Sequence, residues 1–252
     1  MNKNEKIVIG WPDTGSAYTG FVAFMMQLLL HRRDKIEDVV IASGHYLSNN
    51  KNICVENFLK TGADWLLLMD CDVLVTLESF DTLIQSADKD NRPIVSGSYF
   101  LPMNDRLYLS GQYKNPEYPD AGFWISDWDK EVIDDLHSVG AGFLLVHKSV
   151  YKAIQENNVD KMPQWFQDEY WGYPYYCWIS EDIYFCKKAR DLGFNIAINT
   201  KATSTHLKNV RITEDNFVKI PQMIPMGMPA EKHTHPYGER RKMHWWIKGK
   251  SK

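Results

Sequence analysis

Asp70 and Asp72 stand two residues apart in Asp70-Cys71-Asp72, directly after the apolar run Trp65-Leu66-Leu67-Leu68-Met69. Two carboxylates at this spacing, just past a buried strand, can both reach one divalent cation, or a cation and a ribose. Mg²⁺ and Mn²⁺ are commonly held by one or two protein carboxylates that share the ion with substrate phosphates. Two acids opening a solvated loop would show the same pattern. A second acidic pair, Glu181-Asp182, begins a helical pattern after an aromatic-rich stretch. Acids there favour the helix dipole by roughly 0.3–1 kcal/mol each, and either can also act as a carboxylate base at the rim of a pocket. His206 closes Thr203-Ser204-Thr205-His206. Beside a cation already held by carboxylates, an imidazole is a third ligand that suits Mn²⁺ better than Ca²⁺.

These groups need a frame that brings residues 70, 182 and 206 together. The first hundred residues alternate short apolar runs with helical patterns: strands at 6–10, 38–42, 65–69 and 94–98, helices at 16–31, 49–60 and 77–87. Such alternation predicts parallel strands joined by crossover helices, and continuous apolar strands predict a sheet covered on both faces. Residues 99–136 lack a clear period and read as loops and short strands. A strand at 143–147 and a short helix at 149–156 follow, then an aromatic loop over 162–178. A helix at 181–192 has Ser180 at its N-cap and Gly193 just past its end. Phe194, Ile196 and Ile198 alternate with Asn195, Ala197 and Asn199, the pattern of a half-buried strand. The expected fold is α/β, a single domain with a mostly parallel central sheet flanked by helices. Residues 1–100 form one functional half, 101–205 the other, and 206–252 a C-terminal segment.

Composition narrows the setting. With 44% hydrophobic and 24% charged residues in 252, the chain is neither disordered nor fibrous. A net charge of −3 excludes a general polycation, so any nucleic-acid contact must use a local patch. Cys54, Cys71, Cys177 and Cys186 form no Cys-x-x-Cys pair and are too sparse for a disulfide scaffold, which fits a reducing compartment. The polar start, Met1 to Lys6, does not read as a signal peptide, and the apolar run 21–30 is too short to span a bilayer. The expected location is the cytoplasm. Gly15-Ser16-Ala17-Tyr18-Thr19-Gly20 spaces its glycines like a phosphate-binding P-loop, but Phe21 occupies the lysine position. Val139-Gly140-Ala141-Gly142 has no third glycine three residues on, so it is not a dinucleotide fingerprint.

Taken in order and spacing, these features resemble the GT-A fold nucleotide-sugar glycosyltransferases, most closely the short family-2-like enzymes of bacteria and phages. The resemblance runs from Ile7 to about Lys208. Trp11-Pro12-Asp13 matches the loop that receives the nucleotide. Lys51-Asn52 opens the matching helix, with lysine where the family has arginine, which removes a bidentate contact. Asp70-Cys71-Asp72 matches the Asp-x-Asp strand end, and Ser96-Gly97-Ser98-Tyr99 the glycine-containing stretch after the next strand. Val139-Gly140-Ala141-Gly142-Phe143 matches the strand beside the donor sugar, and Glu181-Asp182 through Leu192-Gly193-Phe194, then His206, completes the series.

The resemblance implies a metal-dependent hexosyl- or pentosyltransferase that moves a sugar from a nucleoside diphosphate, expected to be UDP, to an acceptor hydroxyl. Mn²⁺ or Mg²⁺ would sit on Asp70, Asp72 and His206. The donor would contact Pro12, Asp13, Lys51, Asn52, Asp70, Gly140, Gly142 and Lys208. Asp182 would be the general base and Glu181 would orient the acceptor. The acceptor is left open between a hydroxymethylated pyrimidine of phage DNA and a surface polysaccharide. The last fourteen residues carry six cations against Glu239, interleaved with His244, Trp245 and Trp246, a composition suited to a polyanion, to an anionic membrane or to a plain solvated tail. The rival readings are a non-catalytic sugar-nucleotide or nucleic-acid binder on the same fold, and a nucleotidyltransferase.

Overall fold

A computed structural model describes residues 1–13, 15–103, 106–157, 164–172, 177–207 and 211–212. β1 (Ile7–Pro12), α1 (Thr19–His31), β2 (Ile36–Ala42), α2 (Leu47–Leu59) and β3 (Trp65–Met69) follow the expected alternation. β4 (Val73–Val75), α3 (Leu77–Ser86) and β5 (Ile94–Ser98) come next. The aperiodic middle resolves into short strands: β6 (Phe100–Met103), β7 (Arg106–Leu109), β8 (Gly111–Lys114), β9 (Gly122–Trp124), β10 (Val132–Ile133) and β11 (Ser138–Val139). β12 (Phe143–His147) leads into α4 (Lys148–Glu156). Within the aromatic stretch, β13 (Glu169–Trp171) and β14 (Cys177–Ile179) pair as a small antiparallel sheet. α5 (Glu181–Asp191), β15 (Ile196–Leu207) and β16 (Arg211–Ile212) complete the described chain.

The main sheet has the order β10-β15-β5-β12-β3-β1-β2, with β4 and β16 added along β15. β2, β1 and β3 are parallel, as are β5 and β15, whereas β12 runs antiparallel between β3 and β5. The molecule is thus a mixed α/β domain with a largely parallel core sheet flanked by helices. Both faces are covered, as continuous apolar strands require. On one face Trp65, Leu67 and Met69 of β3 pack with Phe21, Phe24 and Leu28 of α1 and with Phe80 and Leu83 of α3. On the other, Leu66 and Leu68 pack with Val55 and Phe58 of α2, Tyr151 of α4 and Phe185 of α5. No helix among the described residues is long and apolar enough to cross a membrane.

One expectation is corrected. β15 is not half-buried: its residues 196–200 are all buried, because both faces of the strand meet a core. Ile196 and Ile198 enter one core while Ala197 enters the other. Its polar Asn199 is accommodated at a break in register, where Oδ1 accepts from the backbone N–H groups of Lys201 and Ala202 at 2.7 and 3.1 Å. Ser180 is the N-cap residue of α5 but makes no side-chain cap hydrogen bond. Gly193 does end α5 with φ +84°, the left-handed conformation that a helix terminus gives to glycine.

α1 and α2 direct attention to one end of the sheet. The chain passes from β1 to β2 across the face covered by α1, and returns across β1 to β3 over the opposite face, covered by α2. In open α/β sheets the carboxyl-terminal ends of strands at such a reversal form a crevice that takes ligands. Asp13 ends β1 and Asp70 ends β3 at that edge.

Gly97 sits where β5 passes closest to β12. A Cβ there would overlap the edge of the Phe143 ring and lie 2.8 Å from the Ala202 carbonyl oxygen. Gly97→Ala is therefore expected to lower stability by about 1–3 kcal/mol through overpacking, read as a fall in the midpoint of urea unfolding. An unchanged midpoint would show that β5 and β12 can separate at no cost.

Candidate active site

Lys51 is buried where α2, the end of β3 and the start of α5 meet. Its side chain is 1% exposed, on a helix turn that also buries Asn50 and Asn52. Nζ donates to Glu181 Oε1 at 2.8 Å and lies 3.7 Å from Asp70 Oδ1. One cation thus ties together α2, the end of β3 and the start of α5. Burial opposes the Lys51 charge, but Asp70, Glu181 and Asp182 outweigh it and hold the ammonium above its ordinary range. Burial likewise opposes the Glu181 charge, and the Lys51 ion pair and hydrogen bond overcome it, so Glu181 titrates below its ordinary value. Asp70 goes the other way: burial, with Asp72 and Glu181 nearby, raises it despite Lys51.

Gly140 and Gly142 connect the two acidic groups. The backbone N–H of Asp70 donates to the Gly142 carbonyl at 3.0 Å, and a Cβ on Gly142 would lie 3.2 Å from Asp70 Oδ2. The Gly142 N–H donates to the buried Tyr99 hydroxyl at 3.2 Å, while a Cβ on Gly140 would overlap that same hydroxyl. Tyr99 also packs edge-on against His206, with ring centroids 5.1 Å apart. Burial, and after it the charges of Asp182 and Asp70, keep Tyr99 neutral well above its ordinary range.

His206 reaches the site because β15 pairs with β4, placing His206 opposite Val73. Its Nδ1 is 3.1 Å from the Phe100 carbonyl, which can only accept, so Nδ1 carries a proton. That leaves Nε2 directed at Asp72 Oδ2, 3.5 Å away. A histidine whose second nitrogen is fixed by a carbonyl is the arrangement metal sites use to orient a ligand. Among the described residues, no three His, Cys, Asp or Glu side chains converge to hold a metal ion. Of the expected set Asp70, Asp72 and His206, the last two approach each other while Asp70 Oδ1 is turned to Lys51, and such a pair is the kind of partial set that substrate phosphates complete. Asp70 Oδ1 is buried without a hydrogen-bond partner at the same edge, as are Trp11 Nε1 and Asn50 Oδ1.

Asp182 opens onto a cleft of about 330 Å³ bounded by Leu101, Trp124, Gly140, Trp178 and Ile183. Its Oδ1 accepts from the Ser180 hydroxyl and from the Ile183 N–H at 2.8 Å. Burial first, then the neighbouring Glu181 charge, push the carboxyl up to about 6, with Lys51 and both hydrogen bonds pulling against them.

Of the residues expected from sequence, the structure brings together Lys51, Asp70, Asp72, Gly140, Gly142, Glu181, Asp182 and His206. Pro12 is buried at the end of β1. Asp13 Oδ1 accepts from the Gly15 N–H, and the Asp13 carbonyl from the Asn50 amide. Asn52 is engaged elsewhere, its amide bonded to the backbone of Trp165 and Phe166. Lys208 and the tail over 213–252 lie outside the described residues. Sequence reasoning missed Tyr99 as the wedge under the glycines, although its motif was visible. It also missed Trp178, hidden in an aromatic stretch with no period.

No family model matches the chain, and no curated protein matches it. Among solved structures the chain is similar to the crystal structure of A197 from STIV, with 18% identity and a TM-score of 0.52, covering 86% of this chain and 98% of that one. At that identity the likeness concerns the fold.

Replacing Lys51 by Met is expected to lower stability by about 3–5 kcal/mol at neutral pH, the cost of leaving buried carboxylates without their cation. Glu181 titrates low in the folded protein, so its pairing stabilises above its unfolded value and is lost as pH falls through the folded one. The gap between wild type and variant should therefore close on acidification below about pH 4. Urea unfolding at pH 7 and pH 3.5 measures it, and a pH-independent gap would reject the ion-pair role.

Proposed function

We propose that this protein is a glycosyltransferase of the GT-A kind, moving a sugar from a nucleoside diphosphate, with UDP the expected nucleotide, to an acceptor hydroxyl. The observation that carries the reading is the Gly140–Gly142 backbone, which joins the Asp70–Asp72–His206 edge to the Asp182 cleft. Gly140 lines the Asp182 cleft and the Gly142 carbonyl accepts from the Asp70 N–H, so one short segment leads from a diphosphate on one side to an acceptor on the other.

Asp182 is the base. Its raised titration sets it near neutrality, where a carboxylate can accept a proton from a hydroxyl during the reaction. With Oδ1 held by Ser180 and Ile183, Oδ2 is left for the acceptor. The acceptor oxygen bonds to the anomeric carbon and the bond from that carbon to the diphosphate oxygen breaks. The nucleoside diphosphate leaves with the electron pair, and the proton passes to Asp182. This is a single displacement with inversion. Lys51 keeps Glu181 ionised and fixed, so that Glu181 raises its neighbour's proton affinity without competing for the proton. Asp72 and His206 would hold Mn²⁺ or Mg²⁺, which would supply Lewis-acid stabilisation of the diphosphate charge.

The test is a screen of UDP-, GDP- and TDP-sugars with Mn²⁺, reading nucleotide release without acceptor. Slow hydrolysis of one donor, abolished by excess EDTA and by Asp72→Ala, is the expected result. Turnover of no donor would favour the binding-protein reading, and full turnover in EDTA would remove the metal.

Asp182→Asn separates chemistry from folding. Transfer should fall by roughly 10²–10⁴-fold, the usual contribution of a general base. Stability should move the opposite way. A carboxyl raised from 3.8 to about 6 binds more protons folded than unfolded between those values, so wild-type stability drops as pH rises through that window. The variant should therefore be more stable than wild type at pH 7 and equal to it below about pH 4. An active Asp182→Asn, or a retained anomeric configuration by NMR, rejects the assignment.

A further inference from the structure

Beside the catalytic crevice, two large aromatic side chains face solvent where ordinary packing would cover them. In the β13–β14 hairpin Tyr170 lies directly opposite Trp178. Their rings are 5.4 Å apart, with 51% and 71% of each residue exposed. Trp178 borders the Asp182 cleft and also a second, smaller hollow of about 60 Å³, shared with His137, Trp171 and Ile183. Trp124 stands in the wall of the larger cleft. Aromatic surface therefore runs from solvent to the carboxylate.

The charged residues of the lining are acids, and a cation behind it, Arg190, is taken by the His137 carbonyl. Among the described residues that line the two hollows, the charged side chains are Asp120 and Asp182, and neither hollow is lined by Lys or Arg. The nearby Lys187 is taken by Asp120 and Asp191, at 3.4 and 3.0 Å, and Lys114 by Asp135. Among the described residues, a phosphodiester chain entering here would meet lining carboxylates and no lining Lys or Arg, the reverse of the contacts that nucleic-acid sites use. A neutral pyranose suits the same walls. Its C–H face packs on a flat ring by dispersion, and its hydroxyls donate to a carboxylate. A site with flat apolar walls and a few fixed polar groups is the usual form of a small-ligand pocket.

We infer that the paired Tyr170 and Trp178 rings and the adjoining cleft form a binding site for a neutral sugar, and that the acceptor is a neutral glycan presented to Asp182 by stacking on Trp178. The word acceptor rests on the transferase reading above; the sugar site does not. Sugar selection on this surface comes from ring faces and hydroxyl positions, so a glycan carrying carboxylate or phosphate on the bound residue is excluded by Asp120 and Asp182.

The experiment exposes the full chain to arrayed neutral oligosaccharides, their sulfated or uronic-acid counterparts, and a single-stranded oligonucleotide containing 5-hydroxymethylcytosine. At least one neutral glycan should bind. Trp178→Ala, at a position exposed enough to leave folding intact, should weaken that binding at least tenfold, and Trp178→Phe should restore part of it. Binding of the oligonucleotide in place of glycans, binding of no neutral glycan, or equal affinity in Trp178→Ala would each overturn the inference. Donor hydrolysis by the wild type is read separately. Glycan binding without hydrolysis of any donor would sink the transferase reading and leave the sugar site standing.

Discussion

One buried ammonium sets the geometry of the site. Lys51 comes from a helix on one face of the sheet, Asp70 from the end of a strand and Glu181 from the first turn of α5. None of the three is stable in its position without the others, because an isolated buried charge is far more costly than a paired one. The pairing keeps the start of α5 against the end of β3. With that distance fixed, Asp182 faces the cleft instead of the cation, and the consecutive acids of α5 divide into one that stays charged and one that holds its proton more tightly. Neighbouring carboxylates whose surroundings drive their proton affinities apart are a recurring way to obtain a base near neutrality.

Much of the frame is written in local pattern. The apolar runs 65–69, 94–98 and 143–147 became strands with those bounds, since each is continuous, short and bounded by polar residues. The acids at 70, 72, 181 and 182 were also legible, because they follow or begin strong periodic elements. What could not be read was anything set by distance in three dimensions. Lys51 is expected from the resemblance to contact the donor, and only the fold shows it enclosed by carboxylates. Asn52, expected beside it to meet the donor, instead holds the backbone at Trp165 and Phe166. The antiparallel direction of β12 is invisible in a buried apolar strand, which has the same composition either way. The alternation at 194–199 suggests one wet face, and it misleads because Ala197, on the face without large side chains, is packed into the core that Phe80 and Leu83 of α3 share.

Glycines explain how tightly the centre is packed. Gly97 admits the Phe143 ring, Gly140 admits the Tyr99 hydroxyl, and Gly142 lies against Asp70. All three lie where β5, β12 and the end of β3 come together. Tyr99 and Phe143 fill the space that side chains would otherwise take, and the main chain is left close to the crevice. Tyr99 then links this packing to His206 through its ring and to Gly142 through its hydroxyl. The polar edge and the apolar core therefore share a single wall.

The position of β12 also has a consequence for how the chain is made. β12 is synthesised after β5, yet it fills the gap between β3 and β5. As the chain leaves the ribosome, β1, β2 and β3 can pair, but β5 has no neighbour in the main sheet until residue 143 and beyond have appeared. Lys51 waits longer still, since Glu181 lies 130 residues downstream. The first half of the polypeptide thus emerges with an open strand edge and with Lys51 lacking the nearer of its two carboxylates, and neither is resolved by local folding. The crevice appears last, when the sheet closes around β12 and α5 docks, so a chain released early would carry the acidic strand end without the carboxylate that faces the cleft.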